Sequence, residues 1–480
     1  MKHALLLLAI TLNSVVFSQT ITWEDPVPVS IDGQDNNRPR IILDQDGSVH
    51  VFWGRDADGQ LFHNQMVDGE WDAAEMLLPE GVTCFTADWA GPDVGSFGDH
   101  LGVVFKRMPE NTEGAYLIQS FDGGATWSDT TQIDLNLPEG FQTRMPSVAI
   151  GDQQMVHVSI MSFEGNYIDP EYIYTKSNDG GESWSAYQAM YGDFFSGEAC
   201  DCCMADIAII NADPVIAFRD NEENIREIKC VKSESSGDNF ESVLYPDLSE
   251  TYANYCFSSG PHLLLQDGIM KIVYKSIEES DSYVTFTQMD LSDESIIESF
   301  IVLEETDGTA RQNNPRISGS EALDFVVWEE SQGLATEVLY AAREGGAQGG
   351  SFEIIDTLNV DLSGKQINPD VKVDGLTIHT VWQDKGNDLV MYRKGTYDPN
   401  GVNVEESLLP EVSAYPNPTN SSVNITGVKV ESVQVFDLQG RMLVNRNSGV
   451  SGNDLDVSMF PKGTYNVVVN AVYTIKLVVN

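Results

Sequence analysis

The stretch Ser177-Asn-Asp-Gly-Gly-Glu-Ser-Trp184 has a near twin at Ser120-Phe-Asp-Gly-Gly-Ala-Thr-Trp127. Both read Ser-x-Asp-x-Gly-x-(Ser/Thr)-Trp. The adjacent glycines, Gly123 with Gly124 and Gly180 with Gly181, supply the positive φ that a short turn requires. Asp122 and Asp179 are placed to accept bonds from the turn's own amides. Trp127 and Trp184 then open the next strand with a large ring to bury. Two copies in equivalent settings mark a repeated β-hairpin rather than an isolated turn.

Outward from this pair, one strand-rich template recurs along the chain. Its starts are marked by Pro39, Pro92, Pro146, Met204, Pro261, Pro315 and Pro369, which are 53 to 58 residues apart. The second strand of each unit is the most legible, as in Val49-His-Val-Phe-Trp53, Leu101-Gly-Val-Val-Phe105, Phe325-Val-Val-Trp328 and Ile378-His-Thr-Val-Trp382. A β-branched and aromatic bias without helical period predicts an all-β fold. Each unit has room for four strands of roughly 5 to 6 residues. Seven units of four strands predict a seven-bladed β-propeller, with a six-bladed ring as the alternative. The seventh unit, Asp370 to Tyr397, is one strand short. Ile21 to Ser30 matches the Trp-led fourth strands at Trp71 and Trp127, so the N-terminal segment is expected to complete the last blade.

The chain of 480 residues carries 74 acidic against 27 basic side chains, a net charge of −47. Such a surface repels nucleic acid and anionic membranes, so neither is an expected partner. From Glu411 to Asn480 there are five basic and five acidic residues, so the charge excess belongs to residues 1–410. This shift, with the linker-like 401–410, predicts a propeller over 19–400 and a small β-sandwich over 411–480. Met1 to Ser18 reads as a secretory signal. No later run reaches the roughly 20 apolar residues of a membrane span. Six cysteines in an exported chain favour disulfides. No cofactor is expected, with Ca²⁺ or a thiolate-bound metal as lesser alternatives, and the chain is expected to be a monomer.

The twin hairpins fit the pattern called the Asp-box and resemble the repeats of sialidases and related β-propellers. Tyr415-Pro-Asn-Pro418, Val433 to Arg441, Lys462-Gly-Thr-Tyr465 and Tyr473 to Val479 resemble the C-terminal sorting domain of the Por, or type IX, secretion system of Bacteroidota. That resemblance implies recognition by the secretion machinery, removal of the tail, and release or attachment of the remainder at the cell surface.

In a propeller, the loops leading into each blade and those between its second and third strands share the face around the tunnel mouth. Basic residues, scarce overall, gather there: Arg38, Arg55, Arg144, Arg219 and Arg311. They are candidates to bind a carboxylate or sulfate on a glycan, unless each pairs with a neighbouring acid such as Asp56 or Asp220. The sialidase resemblance implies three arginines on the sugar carboxylate, an Asp acid and a Tyr nucleophile assisted by Glu. Asp56, Tyr255 (or Tyr252) and Glu329 (or Glu250) are the matching candidates. The Arg-Ile-Pro motif of sialidases is absent, and Arg38-Pro-Arg-Ile41 does not replace it. The expected function is therefore an exo-acting glycoside hydrolase related to sialidases, with a non-catalytic glycan- or protein-binding surface propeller as the alternative.

Cys200-Asp-Cys-Cys203, Arg219-Asp220 and Cys256 before Gly260-Pro261 resemble a subgroup of sialidase-like secreted bacterial proteins. In that layout Cys200, Cys202 and Cys203 lie beside Cys256 at the tunnel mouth, which makes a disulfide between them sterically sensible. Cys84 is a further disulfide candidate, and Cys230 sits within a strand. Asp122 and Asp179, by the same strand order, fall on the face away from the mouth and are expected to form turns rather than catalyse.

Overall fold

The computed structural model describes residues 19–400 and 412–480, apart from 31–32, 136, 166, 191–196, 250, 279–280, 305–310, 347–349, 431, 438–440, 448–452 and 471–472. The expected signal at 1–18, the linker at 401–410 and Glu250 therefore lie outside the described residues. Two compact units divide between residues 402 and 403.

The first unit holds seven antiparallel sheets among the described residues. Their innermost strands are Asn36–Leu43, Asp93–Phe97, Phe141–Ile150, Asp206–Ile210, His262–Gln266, Gln312–Gly319 and Gln366–Asp374. Each packs against the next and the last against the first, which closes a seven-bladed β-propeller. The last blade is completed from the N-terminal side: Thr20–Trp23 and Val27–Pro28 both pair with Leu389–Asp398. Trp23 then buries against Phe325 and Tyr340 of the sixth blade.

Second strands are the buried layer of each blade because both their faces meet neighbours. Trp53, Trp328 and Trp382, at the same place in three repeats, are fully enclosed. Enclosing an indole obliges its N–H to find an acceptor. Trp53 donates to Asn36 Oδ1 (2.8 Å) and Trp382 to Gln366 Oε1 (2.7 Å), each on the adjoining inner strand.

Four of the prolines that mark the repeats, Pro39, Pro146, Pro315 and Pro369, sit at bulges. Pairing of the first two strands slips between Asn37 and Arg40, Arg144 and Ser147, Asn313 and Arg316, and Ile367 and Asp370. The residue before each of these four is left-handed: Arg38, Met145, Asn314 and Asn368 have φ of 50°, 49°, 47° and 54°. A bulge re-aims the side chain it carries.

Below the bulges, inner strands are clipped blade to blade by buried acceptors. Asp370 Oδ2 accepts the Ile41 N–H (3.1 Å), Asp93 Oδ2 that of Val148 (3.1 Å), Asp206 Oδ2 that of Leu263 (2.6 Å), and His262 Nδ1 that of Ile317 (3.2 Å). Each bond to a charged acceptor contributes about 1.5–3 kcal/mol. These groups, with Arg40, Arg316 and Lys372, line a tunnel cavity of about 330 Å³.

On the far face, the Asp-box turns close as their residues dictate. Ser177 Oγ accepts the Gly181 N–H (2.7 Å), while Asp179 Oδ1 accepts from Ser177 Oγ (2.7 Å) and the Ser183 N–H (2.9 Å). Ser120 to Thr126 repeat this pattern. A third turn, Ser233 to Phe240, was not legible as a box because Ser235 replaces the aspartate. Gly237 N–H still bonds Ser233 Oγ (2.9 Å), and Asn239 N–H bonds Ser235 Oγ (3.0 Å).

The second unit is a small sandwich. A sheet of Ser413–Tyr415, Ser422–Thr426 and Asp454–Asp456 accompanies one of Met442–Asn447, Ser432–Asp437, Gly463–Val469 and Tyr473–Val479. Alternate residues turn inward, so Val423, Ile425, Val435, Leu455, Val467 and Leu477 form its core.

Candidate functional site

The tunnel narrows at its mouth to a cavity of about 20 Å³ lined by Arg38, Arg40, Trp89, Met204, Arg316 and Asn368, among others. That is room for about one water. A ligand of this face therefore rests on the mouth rather than entering the tunnel.

Arg38 forms the plug. Its bulge turns it inward, where Nη1 donates to Asn368 Oδ1 (2.6 Å) and the Asp88 carbonyl (3.3 Å), and Nη2 meets Met204 Sδ (3.2 Å). Burial, and then Arg40 and Arg316 nearby, push its pKa well below the usual guanidinium range. Asn368 continues the network: its N–H (2.7 Å) and the Asn314 side-chain amide (2.8 Å) both donate to Glu329 Oε1. Glu329 is buried, and that burial raises its pKa against the pull of these two donors and of Arg38 and Lys275. Partial burial, and then Arg219 nearby, lower Lys275 to about 8.

The remaining arginines are each committed elsewhere. Arg55 pairs with Asp58 (Nε to Oδ1 3.0 Å) instead of Asp56 and lies over Phe62. Arg311 pairs with Asp281 (2.8 Å). Arg219, expected to face a ligand, is fully enclosed. It donates to the carbonyls of Ser259 (3.2 Å), Arg226 (2.6 Å) and Lys275 (2.7 Å) and lies on Phe257, so it ties two loops to the strand Ile269–Glu278. Its neighbour Asp220 pairs with Lys229.

Arg144 is different. It pairs with Glu110 (2.9 Å), donates to the Asp201 carbonyl (3.1 Å), and is held between the rings of Trp89 (4.9 Å) and Tyr167 (4.8 Å). The result is a rigid aromatic and polar ridge beside the mouth. Tyr252 and Tyr255, on the loop leading into the fifth blade, are 66% and 53% exposed and add two rings to the same face. Trp89, Tyr167 and Glu110 were not singled out in the sequence. Their signal was only that large rings and acids occupied loops where polar turn residues are usual.

The three catalytic candidates do not meet. Asp56 neighbours Asn37, Asp35, Asp88 and Lys385, and its desolvation together with the two aspartates raises its pKa. Tyr255 packs on Phe257, and Glu329 keeps the partners given above. Among the described residues, no contact joins any two of the three. Of the cysteines, Cys200 pairs with Cys203 and Cys202 with Cys256. Cys84, also expected as a disulfide candidate, is instead a free buried thiol packed with Leu61 and Phe105, and Cys230 is likewise free.

With this geometry in place, known proteins supply one decisive match. Residues 413–480 match the family described as Secretion system C-terminal sorting domain. The sandwich is thus similar to a sorting domain along nearly its whole length. Among curated proteins, no sequence matches the chain. Among solved structures, the Trypanosoma rangeli sialidase aligns at 10% identity and TM-score 0.43 over 67% of this chain; the match spans 59% of that enzyme's length. The Penicillium chrysogenum α-L-arabinanase aligns at 10% identity and TM-score 0.43, over 78% of this chain and 98% of its own. The Ruminococcus gnavus intramolecular trans-sialidase aligns at 11% and 0.43, over 76% and 95%. Likenesses this distant carry no chemistry, and the propeller stands on its own strand order. Among the described residues, no helix is long and apolar enough to cross a membrane.

Proposed function

We propose that this chain is an exported propeller that binds glycan on its tunnel-mouth face, without requiring an acidic sugar. The observation that carries the reading is the stack of Trp89, Arg144 and Tyr167 fixed by Glu110. Sugars present apolar C–H faces and hydroxyls, which suit an aromatic ring edged by pre-oriented charged hydrogen-bonding groups. An acidic sugar is disfavoured because Arg55, Arg144 and Arg311 each already hold a carboxylate. The surrounding charge of −47 adds repulsion. The sorting-domain match supports delivery by type IX secretion, with the propeller acting outside the cell or on its surface.

One observation favours a second, catalytic reading. Glu329 is a buried carboxyl whose pKa burial raises against the pull of Arg38 and Lys275, and a raised pKa keeps a proton available for general-acid catalysis. The two readings separate on an array of neutral, sialylated and uronate-containing glycans, screened for binding and for product. Binding of neutral glycans without product supports the binding role. Product that disappears in Glu329→Gln supports the catalytic one. Exclusive binding of acidic glycans overturns the proposed preference.

A further inference from the structure

Loops from two adjacent blades bring four sulfurs to one point. Cys200, Cys202 and Cys203 precede the inner strand Asp206–Ile210, and Cys256 precedes His262–Gln266. Their Sγ atoms all lie within 4.8 Å of one another. The two disulfide pairs also touch each other, with Cys200 Sγ 3.7 Å from Cys202 Sγ. Tying two loops together needs one bond between them, not four mutually adjacent sulfurs. A tetrahedral ion bound to thiolates at about 2.3 Å holds its sulfurs about 3.8 Å apart, so the cluster has the dimensions of a four-sulfur coordination shell.

The surroundings fit that use. Cys200 and Cys203 are fully buried, and Ala253, Phe257 and Ile277 pack with the sulfurs to keep water back. Cys256 is exposed, which leaves a path for an ion to arrive. The Ser258 N–H points at Cys256 Sγ (3.2 Å), a bond that favours thiolate over thiol. Two cations belong to the same loops: Arg219 lies 4.5 Å over Phe257, and Arg226 Nε donates to the Ala253 carbonyl (3.2 Å). Their charge offsets the double negative charge of a dication held by four thiolates. The other two cysteines are isolated, and burial pushes Cys84 up to about 12 and Cys230 upward as well, so both stay protonated.

We propose that in the reduced chain Cys200, Cys202, Cys203 and Cys256 form a four-thiolate site for a thiophilic d¹⁰ cation, zinc(II) in the first instance, clasping the fourth and fifth blades. Filling it forms four metal–sulfur bonds and releases one proton from each thiol, with no change in oxidation state. With all four positions taken by protein, the site is structural and leaves no coordination place for substrate. The disulfide-paired arrangement is the same cluster in its oxidised, metal-free form, so the two compete.

The test uses the full chain, reduced with a phosphine, freed of metal and titrated with cobalt(II) as a spectroscopic probe. The expected result is one cobalt per chain, with visible bands of a tetrahedral ion and near-ultraviolet thiolate charge-transfer bands, both abolished when zinc displaces cobalt. Cys202→Ser and Cys256→Ser should lose the bands, and Cys230→Ser should keep them. Cys256→His, which retains a ligand, should restore one-to-one binding with shifted bands and so separates a lost ligand from a lost fold. A reduced chain that keeps its strand circular dichroism yet takes up no cobalt would overturn the proposal. Uptake unchanged in Cys202→Ser and Cys256→Ser would overturn it too.

Discussion

On the far face of the propeller, the turn Ser177 to Trp184 satisfies itself: Ser177, Asp179, Gly181 and Ser183 bond one another within seven residues. On the mouth face the ridge around Arg144 does not. Arg144 draws on Glu110 and Trp89 from the preceding blade's loops, Tyr167 from its own and Asp201 from the next. The Asp-box turns are thus closed by local bonds that a short motif encodes, and the ridge around Arg144 by contacts between blades that no motif encodes. Local bonding makes a turn repeatable, and cross-blade bonding makes each sector of the mouth different from its neighbours. Specific binding needs the second kind of surface.

This contrast can be broken or sharpened by substitution. The largest effect is expected where a far-face turn touches the preceding blade. Gly237 has φ of 78°, and a Cβ there would meet Tyr174 Oη at 1.9 Å. Gly237→Ala should cost about 2–4 kcal/mol in denaturant unfolding while leaving the mouth's ligand preference intact. Next comes the tunnel between the faces. Burial pushes the Asp206 carboxyl up to about 7, against a usual value near 3.9 in the unfolded chain. The folded chain therefore holds that proton more tightly, and its stability falls as pH rises from about 4 toward 7. Asp206→Asn keeps an acceptor for the Leu263 N–H and should flatten this fall, making the variant the more stable by about 1–3 kcal/mol above pH 7 in melts across pH.

At the mouth, Trp89→Ala should weaken glycan binding about tenfold with little change in melting temperature, since Trp89 is only partly buried. The smallest effect is expected at an exposed far-face aspartate. Asp179 is held at about 2 by the Ser183 side chain and other turn donors. It contributes stability above the unfolded value near 3.9 that is lost as pH falls toward 2. Asp179→Asn should be slightly less stable above about pH 4, a difference that closes as pH falls toward about 2, and should leave binding untouched.

The same contrast explains what the sequence could convey. Repeats, turns and the closing strand are local patterns, so Pro39 to Pro369 counted the blades and Trp23 announced the shared last one. The third turn escaped because Ser235 does an aspartate's work with one oxygen fewer, a substitution the pattern does not register. Arg219 illustrates the opposite failure. Its position at the mouth end of a strand was legible, but three carbonyls from 226, 259 and 275 decide its role, and those meet only after folding. The prolines mark blade starts in the sequence. Their bulges, which turn Arg38 and Asn368 into the throat, follow from strand pairing and not from the Pro itself.

The most direct test of the central claim compares glycan binding by the full chain with that of Trp89→Ala and Asp179→Asn on the same array. The account predicts neutral-glycan binding that falls about tenfold in Trp89→Ala and is unchanged in Asp179→Asn. Equal binding by all three proteins, or loss confined to Asp179→Asn, would contradict it.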